Sequence, residues 1–309
     1  MAYIGRLDTG YTSSGAISPV GDADIFTTTY IAGLTYSVRV SGSYSGGGSL
    51  ADPLLELQSA SGTRLLFNDD IQPGVNRDAQ LTFRVTQTTD YRLVVREMGD
   101  NATGSYTITN ATGYASNADD TVTGSAANDA VNGMGGNDRL FGMNGSDRLY
   151  GAWGWDQLIG GNGYDLLDGA TGNDSLWGGY GNDWLVGGEG TDLLVGGFGA
   201  DTFVFQSKND SLPGRADVIS AGDGAIAMEG AGVAGGDVID LSRMDANDLV
   251  AGNQSFTWGR GTGQIWLAET GGDTILRGNT DGDPAAEFDI VIRDGAITAY
   301  QYIGADFIL

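Results

Sequence analysis

Cysteine and histidine are both missing from this chain of 309 residues. Without cysteine there is no disulfide framework, no thiolate nucleophile and no iron–sulfur ligand set. Without histidine there is no HExxH zinc site and no Ser-His or Cys-His nucleophile. Basic residues are scarce as well: 15 Lys+Arg stand against 40 Asp+Glu, a formal net charge of −25. A surface of that sign repels phosphate backbones and anionic headgroups, which sets nucleic acid and membrane surfaces aside as partners and favours divalent cations. No apolar run is long enough for a membrane-spanning helix, and MAYIGRLDTGYTSSGAIS lacks the basic start and apolar stretch of a Sec-type signal. Proline contributes only 5 residues, whereas glycine contributes 53. Glutamate is rare too: 34 of the acids are Asp and 6 are Glu. Asp is a poor helix former and a good turn and ligand residue, so the excess points to loops.

What is present is a repeat. Asp120, Asp129, Asp138, Asp147, Asp156, Asp165, Asp174, Asp183, Asp192 and Asp201 follow one another at a spacing of nine. Two positions after each stands an apolar residue: Val122, Val131, Leu140, Leu149, Leu158, Leu167, Leu176, Leu185, Leu194 and Phe203. Two positions before each, from Gly136 through Gly199, stands a glycine. A disordered Gly/Asp linker has no reason to hold this phase. Each nonamer divides into a six-residue turn, where glycines permit tight backbone, and a three-residue strand whose middle residue points inward. Such strands are too short to stand alone. Two nonamers make one coil, each repeat stacks on the next but one, and a parallel β-roll of about five coils is expected over roughly 115–204. Stacking brings Asp carboxylates and turn carbonyls together between coils. Oxygen-only, adaptable ligands suit Ca²⁺ better than Mg²⁺, and about five to eight ions are expected, since the first two units lack most of the glycines.

The units GGNGYDLLD (160–168), GGYGNDWLV (178–186), GGEGTDLLV (187–195) and GGFGADTFV (196–204) resemble the GGxGxDxUx nonapeptide of the RTX proteins. The resemblance implies calcium ligands: the ten aspartates, with turn backbone at Gly160, Gly161, Gly163, Gly178, Gly179, Gly181, Gly187, Gly188, Gly190, Gly196, Gly197 and Gly199. GADTFVF (199–205), SLPGRADVI, DVIDLS and the final Asp306-Phe307-Ile308-Leu309 are similar to the C-terminal domain of serralysin-type metalloproteases. That likeness implies a β-rich cap, a tail read by the type I secretion apparatus and an extracellular location. The histidine ligands of the serralysin zinc domain have no counterpart here, so that proteolysis is excluded.

The first 112 residues read as short alternating strands, among them Asp24–Tyr30, Thr35–Val40, Leu54–Gln58, Arg64–Phe67, Leu81–Val85, Tyr91–Arg96 and Ser105–Thr109, which predicts an antiparallel β-sandwich. GDADIF, AGLTYSVRV, DPLLELQSASG, FNDD, LTFRV, DYRLVV and GSYTI resemble the bacterial pre-peptidase C-terminal domain, an accessory module of secreted enzymes. Asp52, Asp69 and Asp70 are then either a further calcium site or solvated turn acids. The expected whole is all-β in three parts: a sandwich at 1–112, the roll at 113–205 and a cap at 206–309. Its expected role is secreted, calcium-folded and non-catalytic, in binding or as a scaffold. The alternative is an accessory module or enzyme acting on extracellular polysaccharide. Paired carboxylates are the only acid–base equipment on the chain, and Arg139 and Arg148 on the roll read more simply as strand-flank charges. The third strand position faces outward and predicts an apolar ladder, Phe141, Ile159, Trp177 and Val195 on one sheet and Tyr150, Asp168, Val186 and Val204 on the other, with Leu166 and Trp184 beside it. Something should cover it: the chain's own flanking domains, or a ligand, polymer or self-assembly face.

Overall fold

The computed structural model describes residues 2–19, 22–43, 46–68, 78–97, 103–221, 227–228, 236–246, 254–281, 283, 285–293, 302 and 304–309. It is built almost wholly from strands, with no α-helix among the described residues. In chain order these are β1 (Ala2–Arg6), β2 (Tyr11–Ile17), β3 (Asp24–Tyr30), β4 (Thr35–Ser41), β5 (Pro53–Ser59), β6 (Arg64–Asn68), β7 (Ala79–Arg84), β8 (Thr89–Glu97), β9 (Gly104–Asn110), β10 (Gly113–Tyr114), β11 (Thr121–Thr123) and β12 (Ala130–Asn132). The chain divides into two compact units, the first made of Met1–Ala115 with Ala127–Asn132.

The first unit is a sandwich. One sheet runs β1-β3-β8-β5-β6; the other runs β2-β9-β4-β10, with β7 on β4 and β12 beside β10. The sequence pattern explains the facing sides, since β3 and β4 alternate buried and half-buried residues along their length. Tyr30 from one sheet packs on Tyr36 of the other, ring centroids 4.4 Å apart, and edge-on to Phe83 at 5.1 Å. Its hydroxyl donates to Asn110 Oδ1, and the Asn110 amide donates in turn to the Leu7 carbonyl and Thr28 Oγ1. The buried polar groups of this core are thus satisfied as they must be. The pairing is antiparallel except between β1 and β3 and between β10 and β12. Strands β1 and β2 were not expected; AYIGR and YTSSGAI carry too few alternating apolar residues to mark themselves.

The second unit, Ser116–Ala126 with Gly133–Leu309, is the roll. Its strands are β11, then β13 (Arg139–Asn144), β14 (Arg148–Trp153), β15 (Gln157–Asn162), β16 (Leu166–Gly172), β17 (Ser175–Tyr180), β18 (Trp184–Gly190), β19 (Leu193–Phe198) and β20 (Thr202–Val204). After these come β21 (Asp217–Ser220), β22 (Val238–Asp240), β23 (Thr257–Trp258), β24 (Gln264–Thr270), β25 (Asp273–Asn279), β26 (Phe288–Arg293) and β27 (Phe307–Ile308). Parallel pairing sets Leu140, Leu158, Leu176 and Leu194 in one column and Leu149, Leu167, Leu185 and Phe203 in the other. All eight are fully buried, which is the inward middle position the repeat demanded.

Two features differ from expectation. Most roll strands have six or seven residues rather than three, because the ladder continues through the glycine pair, as in Met143 opposite Gly161. The residues after 205 prolong the roll rather than merely cap it: β21 and β26 extend one sheet in parallel, and β22 and β27 extend the other. The outward apolar ladder is largely covered rather than open. Phe141, Ile159, Trp177, Tyr150, Asp168 and Leu166 are half-buried, Val186, Val195 and Val204 are buried, and only Trp184 is exposed. The 3₁₀ turn Lys208–Asp210 packs on β18 at that end.

The second residue of the turn sits in the left-handed region, where an L side chain is strained. Four units place Met134, Met143, Ala152 and Ala170 there, at φ of 79°, 83°, 78° and 70°. Met143 is largely exposed, so its side chain contributes little packing. Met143→Gly is therefore expected to stabilise the roll by about 0.5–1 kcal/mol, read as a higher urea midpoint at fixed calcium.

Candidate metal centre

Each repeat turn ends on its aspartate, and the following strand fixes that residue over the one in the next coil. The Asp120 N–H donates to Asp138 Oδ1, Asp138 to Asp156, Asp156 to Asp174 and Asp174 to Asp192, all at 2.7–2.8 Å. Along the other edge Asp147 donates to Asp165, Asp165 to Asp183 and Asp183 to Asp201, at 2.7–2.8 Å. The aspartates from Asp129 onward are buried, while Asp120 at the open end is half-buried. One oxygen each of Asp138, Asp156, Asp165, Asp174, Asp183, Asp192 and Asp201 is thereby spent on the ladder. The other, Oδ2 of Asp138, Asp156, Asp165, Asp174, Asp183 and Asp192, is buried and accepts no hydrogen bond. A buried carboxylate oxygen without a donor is costly alone and is by its chemistry a cation ligand.

The first glycine of each turn stands against that oxygen. A Cβ on Gly160 would collide with Asp165 Oδ2 and lie 2.7 Å from the Gly178 carbonyl oxygen. The same carboxylate and carbonyl pair converges on Gly133, Gly142, Gly169 and Gly178. These are cradles of two hard oxygens from adjacent coils, open because the glycine has no side chain. Gly187 and Gly196 likewise face Asp192 and Asp201. Gly161, Gly179, Gly188 and Gly197 occupy the left-handed second position. Gly163, Gly181, Gly190 and Gly199 lie so close to the coil before that a Cβ on any of them would overlap a glycine carbonyl.

Stacking the charges leaves an electrostatic mark. Burial pushes Asp138 and Asp165 up to about 6 and Asp174, Asp183 and Asp192 up to about 7. Neighbouring carboxylates add to the rise at Asp138, Asp174 and Asp183, and the ladder N–H opposes it throughout. Without a cation, the roll resists ionisation of its own carboxyl groups.

The column runs further than the nonamers. The Asp192 N–H donates to Asp217 Oδ1 and the Asp201 N–H to Asp237 Oδ1, at 2.7 and 2.8 Å. Asp217 is buried, its Oδ2 has no donor, and burial together with Asp192 pushes its carboxyl up to about 9. The signal was in the sequence. Asp217-Val218-Ile219 and Asp237-Val238-Ile239 repeat the Asp-x-apolar triplet at irregular spacing. A second ladder was also missed, one position earlier: Asp119, Asn137, Asn173 and Asn182 accept the N–H groups of Asn137, Trp155, Thr191 and Ala200. In the N-terminal unit, Asp52 is half-buried just ahead of β5, and Asp69 and Asp70 lie outside the described residues.

The model of the RTX calcium-binding nonapeptide repeat matches residues 114–148, 132–167 and 168–203. Residues 114–203 are RTX repeats. No curated protein matches the chain. Among solved structures, the chain is similar to the pre-peptidase C-terminal domain of a collagenase from Bacillus anthracis, at 16% identity over 36% of this chain and 97% of that one, TM-score 0.28. It is similar to the AlgE6R3 subunit of a mannuronan C5-epimerase from Azotobacter vinelandii, at 22% identity over 63% of this chain and 80% of that one, TM-score 0.30. The extracellular lipase LipA of Serratia marcescens shows 16% identity over 63% of this chain and 40% of the lipase, TM-score 0.24. Likenesses at this level carry nothing about activity. No helix among the described residues is long and apolar enough to cross a membrane.

Proposed function

We propose that the RTX block is a calcium-coupled folding element of a secreted, non-catalytic binding or scaffold protein. The observation that supports this most is the pair of aspartate columns, each with a buried, donor-free oxygen facing a turn carbonyl from the next coil. The ligands would be the carboxylates of the ten repeat aspartates, joined by Asp217, and the carbonyls of Gly151, Gly160, Gly178, Gly187 and Gly196. Bound calcium supplies positive charge; the chain supplies oxygens that meet only when coils stack. At low calcium the clustered carboxylates repel and the roll stays open, which suits passage through a type I secretion apparatus. At roughly millimolar extracellular calcium, ions bind the folded form alone and draw the equilibrium towards it. Eight ions would bring the net charge from −25 to about −9. The parts 1–112, 113–205 and 206–309 would serve as attachment module, calcium roll and export-bearing terminus.

Equilibrium dialysis against calcium followed by elemental analysis tests this reading. About five to eight ions per chain are expected, and one or none would overturn it.

A second reading, an accessory module or enzyme for extracellular polysaccharide, is favoured by one observation. Trp155 and Tyr164 on the turns and Trp153 and Tyr180 at strand ends stand exposed, and Tyr180 stacks on Phe198 at 5.0 Å. Aromatic faces of this kind suit sugar rings. Polysaccharide pull-down alongside lyase and hydrolase assays, all in calcium, separates the two readings.

A further inference from the structure

Away from the aspartate columns, the segment joining β25 to β26 carries its own acidic cluster. Residues 279–287 read Asn-Thr-Asp-Gly-Asp-Pro-Ala-Ala-Glu. Oxygen-bearing side chains recur at Asn279, Asp281 and Asp283, and a carboxylate returns at Glu287. Short calcium loops use this rhythm: side chains from positions one, three and five, a main-chain carbonyl from seven, and a further ligand at nine. The segment departs from the EF-hand loop in having glycine at the fourth position rather than the sixth and isoleucine at the twelfth.

The structure gathers these groups. Carboxylate oxygens of Asp281, Asp283 and Glu287 lie within 4.8 Å of one another, and no ion pair with a described residue neutralises them. The backbone holds them there. The Asp283 N–H donates to Asp281 Oδ1 at 2.8 Å, the Ala285 N–H to Asp283 Oδ1 at 2.7 Å, and the Thr280 N–H to Glu287 Oε2 at 2.6 Å. Thr262 Oγ1 donates to the Asp281 carbonyl from outside the segment.

An acidic cluster alone would mean little, because acidic turns are common. The independent observation is Asn279. Its side chain is 1% exposed, and its Nδ2 donates to the carbonyls of Asp283 and Ala285, which sets the amide inside the segment that bears the acids. The other end of that amide, Oδ1, is buried and accepts nothing. Turning the amide over does not help, since Oδ1 would then meet two carbonyl oxygens. A buried amide oxygen without a donor, on a side chain bonded to the segment that bears three unneutralised carboxylates, is what a hard cation would satisfy.

We propose that Asn279, Asp281, Asp283 and Glu287 form a separate Ca²⁺ site that pins the start of β26 to the end of β25. The donors are all oxygen, with neither nitrogen nor sulfur, and the segment is irregular. Both features favour Ca²⁺ over a transition metal or Mg²⁺. Because β26 extends a roll sheet, the ion would tie the chain's C-terminal strands to the fold independently of the repeats.

The test uses the full chain. Wild type and the double variant Asp281→Asn/Asp283→Asn are dialysed against calcium, and bound ions are counted by elemental analysis, with far-UV circular dichroism in parallel. The proposal expects one ion fewer in the variant with the calcium-induced gain of β structure kept. Equal counts would overturn it. Should the double variant fail to gain structure, Asp283→Ser decides on the same count, since that side chain is exposed. A wild type that binds a single ion, lost in the variant, would support this site while removing the calcium role of the roll.

Discussion

Acidifying the calcium-free chain from about pH 8 to about pH 5 is expected to build β structure rather than remove it. The reason lies in the columns. Asp138 and Asp165 are pushed up to about 6, Asp174, Asp183 and Asp192 to about 7, and Asp217 to about 9, each first by burial. In the unfolded chain these groups return to the usual aspartate value near 3.9. Between those limits the folded roll binds more protons than the unfolded chain, so its stability falls as pH rises. The penalty is absent below the unfolded value and complete above the folded ones. It amounts to the order of a few kcal/mol for each strongly buried carboxyl. Circular dichroism in calcium-free buffer reads this directly, and a steady loss of β signal on acidification would contradict it. With calcium saturating, the dependence reverses, because protons then compete with the ion for the same oxygens.

Placing alanine at Gly172 is expected to cost the roll more than any conservative change on its surface. The residue has φ of 140°, which an L side chain rarely adopts, and a Cβ there would overlap the Gly154 carbonyl oxygen of the coil before. Backbone strain alone costs about 1–3 kcal/mol, and the collision can be relieved only by parting two coils whose aspartates must stay aligned. A loss of about 3 kcal/mol or more is therefore expected, together with a higher calcium midpoint. Gly271→Ala is the control: φ is 68° and nothing lies within 4 Å of its Cβ, so only about 1–2 kcal/mol of strain applies. Equal effects from the two substitutions would mean that coil spacing is not what the glycine protects.

The roll was legible because its physics is periodic. A nine-residue rhythm keeps the Asp and Leu positions in phase, and with two nonamers to a coil it sets Leu158 over Leu140 and Asp156 over Asp138. The sandwich was legible strand by strand where residues alternate, as at Asp24–Tyr30, and not where Ser, Thr and Gly dominate, as at Tyr11–Ile17. The roll's continuation was hard to read because Asp217 follows its partner by 25 residues, out of phase with nine, and Asp237 follows its partner by 36 rather than the 18 residues of one coil, while the pairing is kept. The ladder of Asn137, Asn173 and Asn182 was hidden by the other residue types that fill the same position, such as Trp155 and Tyr164. The ladder position marked Val186, Val195 and Val204 as residues that something must cover, but three-residue strands do not say which part of the chain does so.

The central claim, that cation binding and roll folding are one event, is tested most directly by titrating calcium into chelator-stripped full-length chain. Heat is followed by calorimetry and secondary structure by far-UV circular dichroism. The aspartate columns predict a cooperative gain of β structure that rises together with the binding of several ions. A chain already fully β before the first addition, with calcium binding and no change in structure, would contradict it.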